Sequence, residues 1–423
     1  MKIKIYPSKV KGVIKAPPSK SYLHRVIISA ALSNGESLIN NVSLNDDVTM
    51  TINALKKLGA SITYSKNTLK IMGIEPKLHM FDYLEIDCNQ SGSTLRFLIP
   101  LCSYLSKKTK FIGKESLFIR PLDEYEKLFK KNNLIFDLKP DSLLVEGPLI
   151  SNQYELSIDK SSQFLTGLLF LTPLLNIDTN IKFTNSNNNS ISFVKMTLEI
   201  LSYFGIKYLI QDNLIKILGN QEFKAGNYHI EGDYSLSAFY LLLGLTNGEI
   251  TITDLNLNSI QGDKAILDII KLSNGDISIK SNSISTRLSK ITSFNYSLAD
   301  CIDLGPLLSV YALFGNDETR LLDASNLKLK ESDRVNAIIN ELKKVGAQIL
   351  FENDTLIIRP SKLIEKDNLF YAHEDHRIAF ALTLLALNLK NPSVIEGIEC
   401  VNKSYSDFLI DIKKIGINYE LID

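Results

Sequence analysis

The sequence predicts a mixed α/β protein built from six copies of one unit, and three observations carry the prediction. A helical segment of the form Leu-x-x-x-Gly, followed by a short alternating strand, returns at intervals of about 70 residues and divides the 423-residue chain into six. Leu55-Lys56-Lys57-Leu58-Gly59-Ala60-Ser61-Ile62 and Leu342-Lys343-Lys344-Val345-Gly346-Ala347-Gln348-Ile349 are the plainest pair, with similar passages at 125–138, 198–210, 267–279 and 408–421. Within each unit an apolar helix and a strand precede that segment, and both helices open on polar turns. A hydrophobic content of 45% is ample for the cores of two or three domains. Units of this kind form an α/β architecture in which sheets cover helices.

Taken in order, residues 1–15 alternate Lys with Ile or Val and read as a strand rather than a signal peptide. A helix is expected over 21–32, a turn at Asn34-Gly35, a strand over 37–42 and the second helix over 49–58. Asn247-Gly248 repeats that turn in the fourth unit. The segment 185–190 is a polar loop. A strand over 319–323 leads into Asn326-Leu327-Lys328-Leu329-Lys330-Glu331-Ser332-Asp333-Arg334, and an amphipathic helix begins near Ser332. The longest apolar stretch, 378–387, is too short to cross a bilayer, so a cytoplasmic protein is expected. Cys88, Cys102, Cys301 and Cys400 form no CxxC pair and have no His at metal-ligand spacing, which reads as reduced structural thiols and no metal site.

Lys+Arg and Asp+Glu both total 47, so the chain has no overall electrostatic footprint for nucleic acid; it also has no Trp and no aromatic-basic interleaving. Only eight of the 47 basic residues are Arg, and five of them, Arg25, Arg96, Arg120, Arg334 and Arg377, fall at the polar turns before helices. Helix N-termini bind anions, and Arg offers a planar fork for phosphate or carboxylate where Lys offers a point charge. Each Arg alone reads as a surface residue, and Lys330 to Arg334 alone as a solvated, capped helix start. Together, placed beside Ser, Gln and Gly, they point to small polyanionic ligands.

Here the chain resembles the 5-enolpyruvylshikimate-3-phosphate synthase family. The motifs are Pro17-Pro18-Ser19-Lys20-Ser21 with Arg25, Ser91-Gly92-Ser93-Thr94 with Arg96, Arg120-Pro121, Ser161-Ser162-Gln163-Phe164-Leu165, Glu231-Gly232-Asp233, Lys330-Glu331-Ser332-Asp333-Arg334, Asp375-His376-Arg377 and Lys403, in the family's order over essentially the whole length. The resemblance implies an inverse α/β barrel-like fold of six βαβαββ units, three per domain. One domain spans 19–232, the other combines 1–18 with 233–423, and the crossovers lie near 15–20 and 230–234. The site is expected in the cleft, completed when the domains close around it.

The implied reaction moves the enolpyruvyl group of phosphoenolpyruvate to the 5-hydroxyl of shikimate 3-phosphate, with no metal or organic cofactor, in a monomer with no nucleic-acid or membrane partner. By position, Lys20, Ser21, Arg25, Ser161, Ser162, Gln163, Ser190, Asp303, Asn326 and Lys330 resemble the shikimate-phosphate contacts. Lys20, Gly92, Gln163, Arg120, Arg334, Arg377 and Lys403 resemble those to phosphoenolpyruvate, with Arg96 supporting. Asp303 resembles the base for the 5-hydroxyl, Glu331 the group that protonates and deprotonates the methylene carbon, and Lys20 a second proton-transfer group. His376 reads either as an orienting donor or as a chemical participant. Cations beside Glu331 favour its ionised form, so it is expected to become competent when anionic substrates offset their field.

Four places depart from the family pattern. Phe193 stands where Tyr is frequent, Ser190-Ile191-Ser192 lacks a frequent basic residue, and Gln90 and Phe97 replace the usual Asn and an aliphatic residue or Pro. Gly92 implies a phosphoenolpyruvate pocket open to the inhibitor glyphosate. The fold is shared by enolpyruvyl transferases acting on UDP-N-acetylglucosamine. Those carry a reactive Cys in a loop where this chain has Gly113-Lys114-Glu115-Ser116. A non-catalytic scaffold is the remaining alternative.

Overall fold

The structure is a computed structural model that describes residues 1–186, 189–364 and 366–422. Asn187 and Asn188, within the expected 185–190 loop, lie outside the described residues. The chain divides into two compact units, Lys20–Ile230 and Met1–Ser19 with Glu231–Asp423.

The mixed α/β reading holds. Among the described residues each unit carries three four-stranded sheets, and all six share one order: a parallel pair extended by two antiparallel strands, which form a hairpin in five sheets but are Lys2–Ile5 and Tyr419–Ile422, far apart in sequence, in the sixth. In the sheet of 153–217, Gln153–Ser157 runs parallel to Thr179–Thr184, which pairs antiparallel with Leu214–Ile217, and Tyr208–Gln211 closes the edge. The first sheet of the unit 20–230 takes its parallel strand, Asn227–His229, from that unit's far end. The plan follows from local chemistry: a parallel pair needs a helical crossover, whereas the hairpins turn on residues such as Lys66-Asn67 and Asn353-Asp354, all at positive φ.

Each repeat also carries two helices, of which the first is apolar nearly all round. In Tyr234–Asn247 every residue except Thr246 is buried, and in His376–Asn388 every residue except Asn388. Such helices have no face to give to water, so they pack on one another and under the sheets. Each fully buried Leu or Ile contributes about 1.5–3 kcal/mol. Gly167 lets the helices Gly92–Leu105 and Gln163–Leu171 approach closely, because a Cβ there would strike the Tyr125 hydroxyl and the Arg96 carbonyl. Among the described residues no helix is long and apolar enough to cross a membrane.

Three expectations need correction. Residues 1–15 form two strands, Lys2–Ile5 and Lys11–Lys15, in different sheets; Pro7, which has no N–H to give a ladder, lies in the break. The helix expected near Ser332 is Arg334–Lys343 and is capped by Asp333, which accepts from Asn336 N at 3.0 Å; Ser332 instead donates to Asp375 at 3.1 Å. Arg25 and Arg96 lie a turn inside their helices rather than at the turns themselves.

Candidate active site

In the unit 20–230 the candidate residues gather at helix starts. Lys20 opens the helix Lys20–Ala31, and its Nζ donates to Asp47 Oδ2 at 2.9 Å. Arg25, 2% exposed, donates from Nη1 to the Ser21 carbonyl at 2.8 Å, from Nε to Thr197 Oγ1 at 2.8 Å and from Nη2 to the Phe193 carbonyl at 3.2 Å. The rings of Phe97 and Phe193 lie 5.1 and 5.7 Å from its guanidinium carbon. Burial lowers the Arg25 pKa to about 9, and the group remains a cation at neutral pH.

Ser91 caps the next helix, Gly92–Leu105, accepting from Thr94 N at 3.2 Å. Arg96 Nη1 donates to Gln163 Oε1 at 2.9 Å, while its Nη2 and Nε donate to the Pro121 carbonyl at 2.9 and 3.1 Å. Gln163 Nε2 donates in turn to Ser93 Oγ at 3.0 Å. Arg120 belongs to this group: a Cβ added at Gly92 would lie 3.1 Å from both Arg120 Nη1 and Arg96 Nη1, and 3.7 Å from Gln163 Oε1. Gly92 therefore keeps open a recess walled by two guanidinium tips and an amide. Ser161 Oγ accepts from Gln163 N at 3.3 Å, and buried Ser162 immediately precedes the helix Gln163–Leu171 without a side-chain capping bond. Ser190 precedes the helix Ile191–Tyr203 in the left-handed conformation, φ 54°, a strain that serine tolerates only when its surroundings enforce it.

In the unit formed by 1–19 and 231–423 the arrangement centres on Arg334, 1% exposed. Its Nε donates to Asp375 Oδ2 at 2.7 Å, Nη1 to Asp303 Oδ1 at 2.8 Å and Nη2 to Glu331 Oε2 at 2.7 Å. Arg377 Nη2 donates to Asp303 Oδ2 at 3.4 Å; its Nε and Nη1 are buried with no hydrogen-bond partner among the described residues. Burial alone would raise the Asp303 pKa, but Arg377, Arg334 and Lys330 outweigh it and hold the carboxyl far below the usual range. Burial alone would likewise lower that of Arg334, yet Asp375, Glu331 and Asp303 raise it. Three cations thus face three carboxylates. Asn326 lies on the short 3-10 helix Ser325–Leu329 that Lys330 ends, packed on the turn Ile302–Leu304 that carries Asp303. Lys403 is buried on the 3-10 segment Ile398–Lys403, against the helix His376–Asn388. His376 is 2% exposed and edges onto Phe380 at 6.0 Å.

Three acidic residues at the polar turns belong to this picture although their roles were not read from the sequence. Asp375, 0% exposed, caps the helix His376–Asn388 and grips Arg334 from 41 residues away. Asp47 pairs with Lys20. Asp263 is a further buried carboxyl near Asp303, and burial and the negative charges of Asp303 and Asp233, only partly offset by Arg377 and Ser235, push its pKa up to about 7. The available signal was their position at the polar turns before helices and, for Asp375, the neighbouring Arg377. All four cysteines are unbonded thiols.

Residues 5–412 match the family EPSP synthase (3-phosphoshikimate 1-carboxyvinyltransferase). A 3-phosphoshikimate 1-carboxyvinyltransferase from Clostridium botulinum (strain Eklund 17B / Type B) is 38% identical over 98% of both chains, and one from Clostridium acetobutylicum is 40% identical over 98% of this chain and 97% of its own. Among solved structures, an EPSP synthase from Acinetobacter baumannii superposes with a TM-score of 0.80 at 21% identity, covering all of both chains. The enolpyruvyl transferase NikO from Streptomyces tendae gives 0.79 at 12% identity over 99% of this chain and 98% of its own. At those identities the structural likeness speaks for the fold, and the sequence matches speak for kinship. The chain belongs to the EPSP synthase family, the 3-phosphoshikimate 1-carboxyvinyltransferases.

Proposed function

We infer that this chain transfers the carboxyvinyl group of phosphoenolpyruvate to the 5-hydroxyl of shikimate 3-phosphate and releases phosphate. The whole-length family match carries the reading. The convergence of Asp303, Glu331, Arg334 and Arg377 supplies residue types suited to it. In our reading Glu331 protonates the methylene carbon, which makes the neighbouring carbon electrophilic, and the 5-hydroxyl adds there as its proton passes to Asp303. The tetrahedral intermediate then returns a methyl proton to Glu331, and phosphate departs with the proton held by Asp303. Lys20 is the second group able to move a proton.

Asp303 is a weak base while Arg334 and Arg377 hold it. An anionic substrate that engages these arginines would weaken their hold and strengthen the base, so reactivity is tied to occupancy. We assign Arg120, Arg334, Arg377, Lys403, Lys20, Gln163 and the recess at Gly92 to phosphoenolpyruvate. Ser21, Arg25, Ser161, Ser162, Ser190, Asn326 and Lys330 are assigned to shikimate 3-phosphate with Lys20, Gln163 and Asp303, and Arg96 and His376 to support. The reading is of a monomeric cytoplasmic enzyme with no cofactor, which rests on the family precedent.

Phosphate release from phosphoenolpyruvate tests this, with shikimate 3-phosphate or UDP-N-acetylglucosamine as acceptor, for wild type and Glu331→Gln. Release that needs shikimate 3-phosphate and falls by about 10²-fold or more in the variant is expected. Absence of release from folded wild type would refute the function, and undiminished release by the variant would refute the role of Glu331.

A further inference from the structure

We propose that Phe97 and Phe193 are positioning residues that clamp the Arg25 guanidinium so that its unspent charge meets an anionic group of the acceptor, which rests on the function inferred above. Arg25 is buried, and the partners that hold it are neutral: a hydroxyl and two backbone carbonyls. Among the described residues no carboxylate pairs with it. A guanidinium has five N–H groups, and these bonds use one on each nitrogen, leaving one on each terminal nitrogen for a bidentate anion. A cation taken out of water without a counter-charge is costly, and the negative faces of aromatic rings are the least demanding way to offset it.

Both rings are themselves fixed. Phe97 packs edgewise on Phe170 at 5.8 Å and on His24 at 6.4 Å. Phe193 lies in the first helical turn after the strained Ser190, and its carbonyl also accepts from Arg25, so one residue holds the guanidinium through backbone and ring together. Two of the four places at which this chain departs from the family's habit thus meet on one arginine. A Tyr at 193 would keep the ring, whereas Leu would fill space without a π face.

Calorimetric titration of the full chain with shikimate 3-phosphate, alongside steady-state kinetics, tests the clamp. Phe193→Leu is expected to bind shikimate 3-phosphate about five- to thirtyfold more weakly. Its KM for that substrate should rise in step while kcat at saturation stays within about twofold, and Phe193→Tyr should restore wild-type binding. Phe97→Leu should shift binding in the same direction, with its fold checked by circular dichroism. Wild-type affinity in Phe193→Leu, or a Phe193→Tyr as weak as the Leu variant, would overturn the clamp while leaving the function standing. Wild type that binds no shikimate 3-phosphate would overturn both.

Discussion

Arg25, in the unit 20–230, is fixed by a hydroxyl, two carbonyls and two aromatic rings, whereas Arg334, in the other unit, is fixed by three carboxylates. Both are buried to within 2% of full exclusion. Neutral partners orient a cation without spending its charge, so Arg25 presents nearly a full charge to an incoming anion. Carboxylate partners spend the charge, and Arg334 instead becomes the common anchor of the groups assigned to the chemistry. The arginines outside the site show the contrast with an ordinary surface: Arg287, Arg320 and Arg359 pair with glutamates while their side chains are 64%, 49% and 48% exposed, where ion pairs contribute little.

The two arginines should differ most in what their loss costs in stability. Arg334→Met removes the cation that Asp303, Glu331 and Asp375 share, leaving Arg377 still beside Asp303, and should cost about 3–5 kcal/mol in urea unfolding, because removing one partner of a buried ion pair exposes the cost of burying the others. Arg25→Met, among neutral acceptors, should cost less than about 2 kcal/mol. Equal losses would erase the distinction. Next in size, Gly92→Ala narrows the recess and pushes the Arg96 and Arg120 tips, 3.1 Å from the new methyl, slightly aside. The KM for phosphoenolpyruvate should rise roughly tenfold, as expected for one disturbed charge-assisted hydrogen bond. An unchanged KM would remove the recess from the phosphoenolpyruvate site.

The smallest effect concerns Asp263, whose pKa rises from 3.8 to about 7 in the fold. The native state then binds more protons than the unfolded chain between those values, so this group's contribution to stability is present below the lower value and is lost as pH rises toward the upper one. Asp263→Asn should therefore melt about 2–4 °C above wild type at pH 8 and show no gain at pH 4. A gain of equal size at both pH values would remove the proton from the explanation.

Much of this molecule was legible along the chain. Leu-x-x-x-Gly segments became helices such as Arg334–Lys343 followed by strands such as Gln348–Glu352, since helix period, turn residue and alternation are all written within about fifteen residues. Asp375, by contrast, read as one more polar turn residue. Its importance comes from Arg334, which reaches it across 41 residues of sequence, and no periodicity joins those positions. Pro7 marks the break between the first two strands, although the alternation on either side of it masks that signal.

The sequence alone determined the six repeated units, the two helices in each, the family and the placement of scarce arginines near helix starts, because local backbone preference and motif order are properties of neighbouring residues. Packing decided which charges are spent. Arg25 and Phe193 stand 168 residues apart and touch only because their helices pack, and Arg334 gathers carboxylates from 3, 31 and 41 residues away. Whether a cation meets a ring, a carbonyl or a carboxylate depends on distances that exist only after the chain has folded, and the electrostatics of the site follow from those distances.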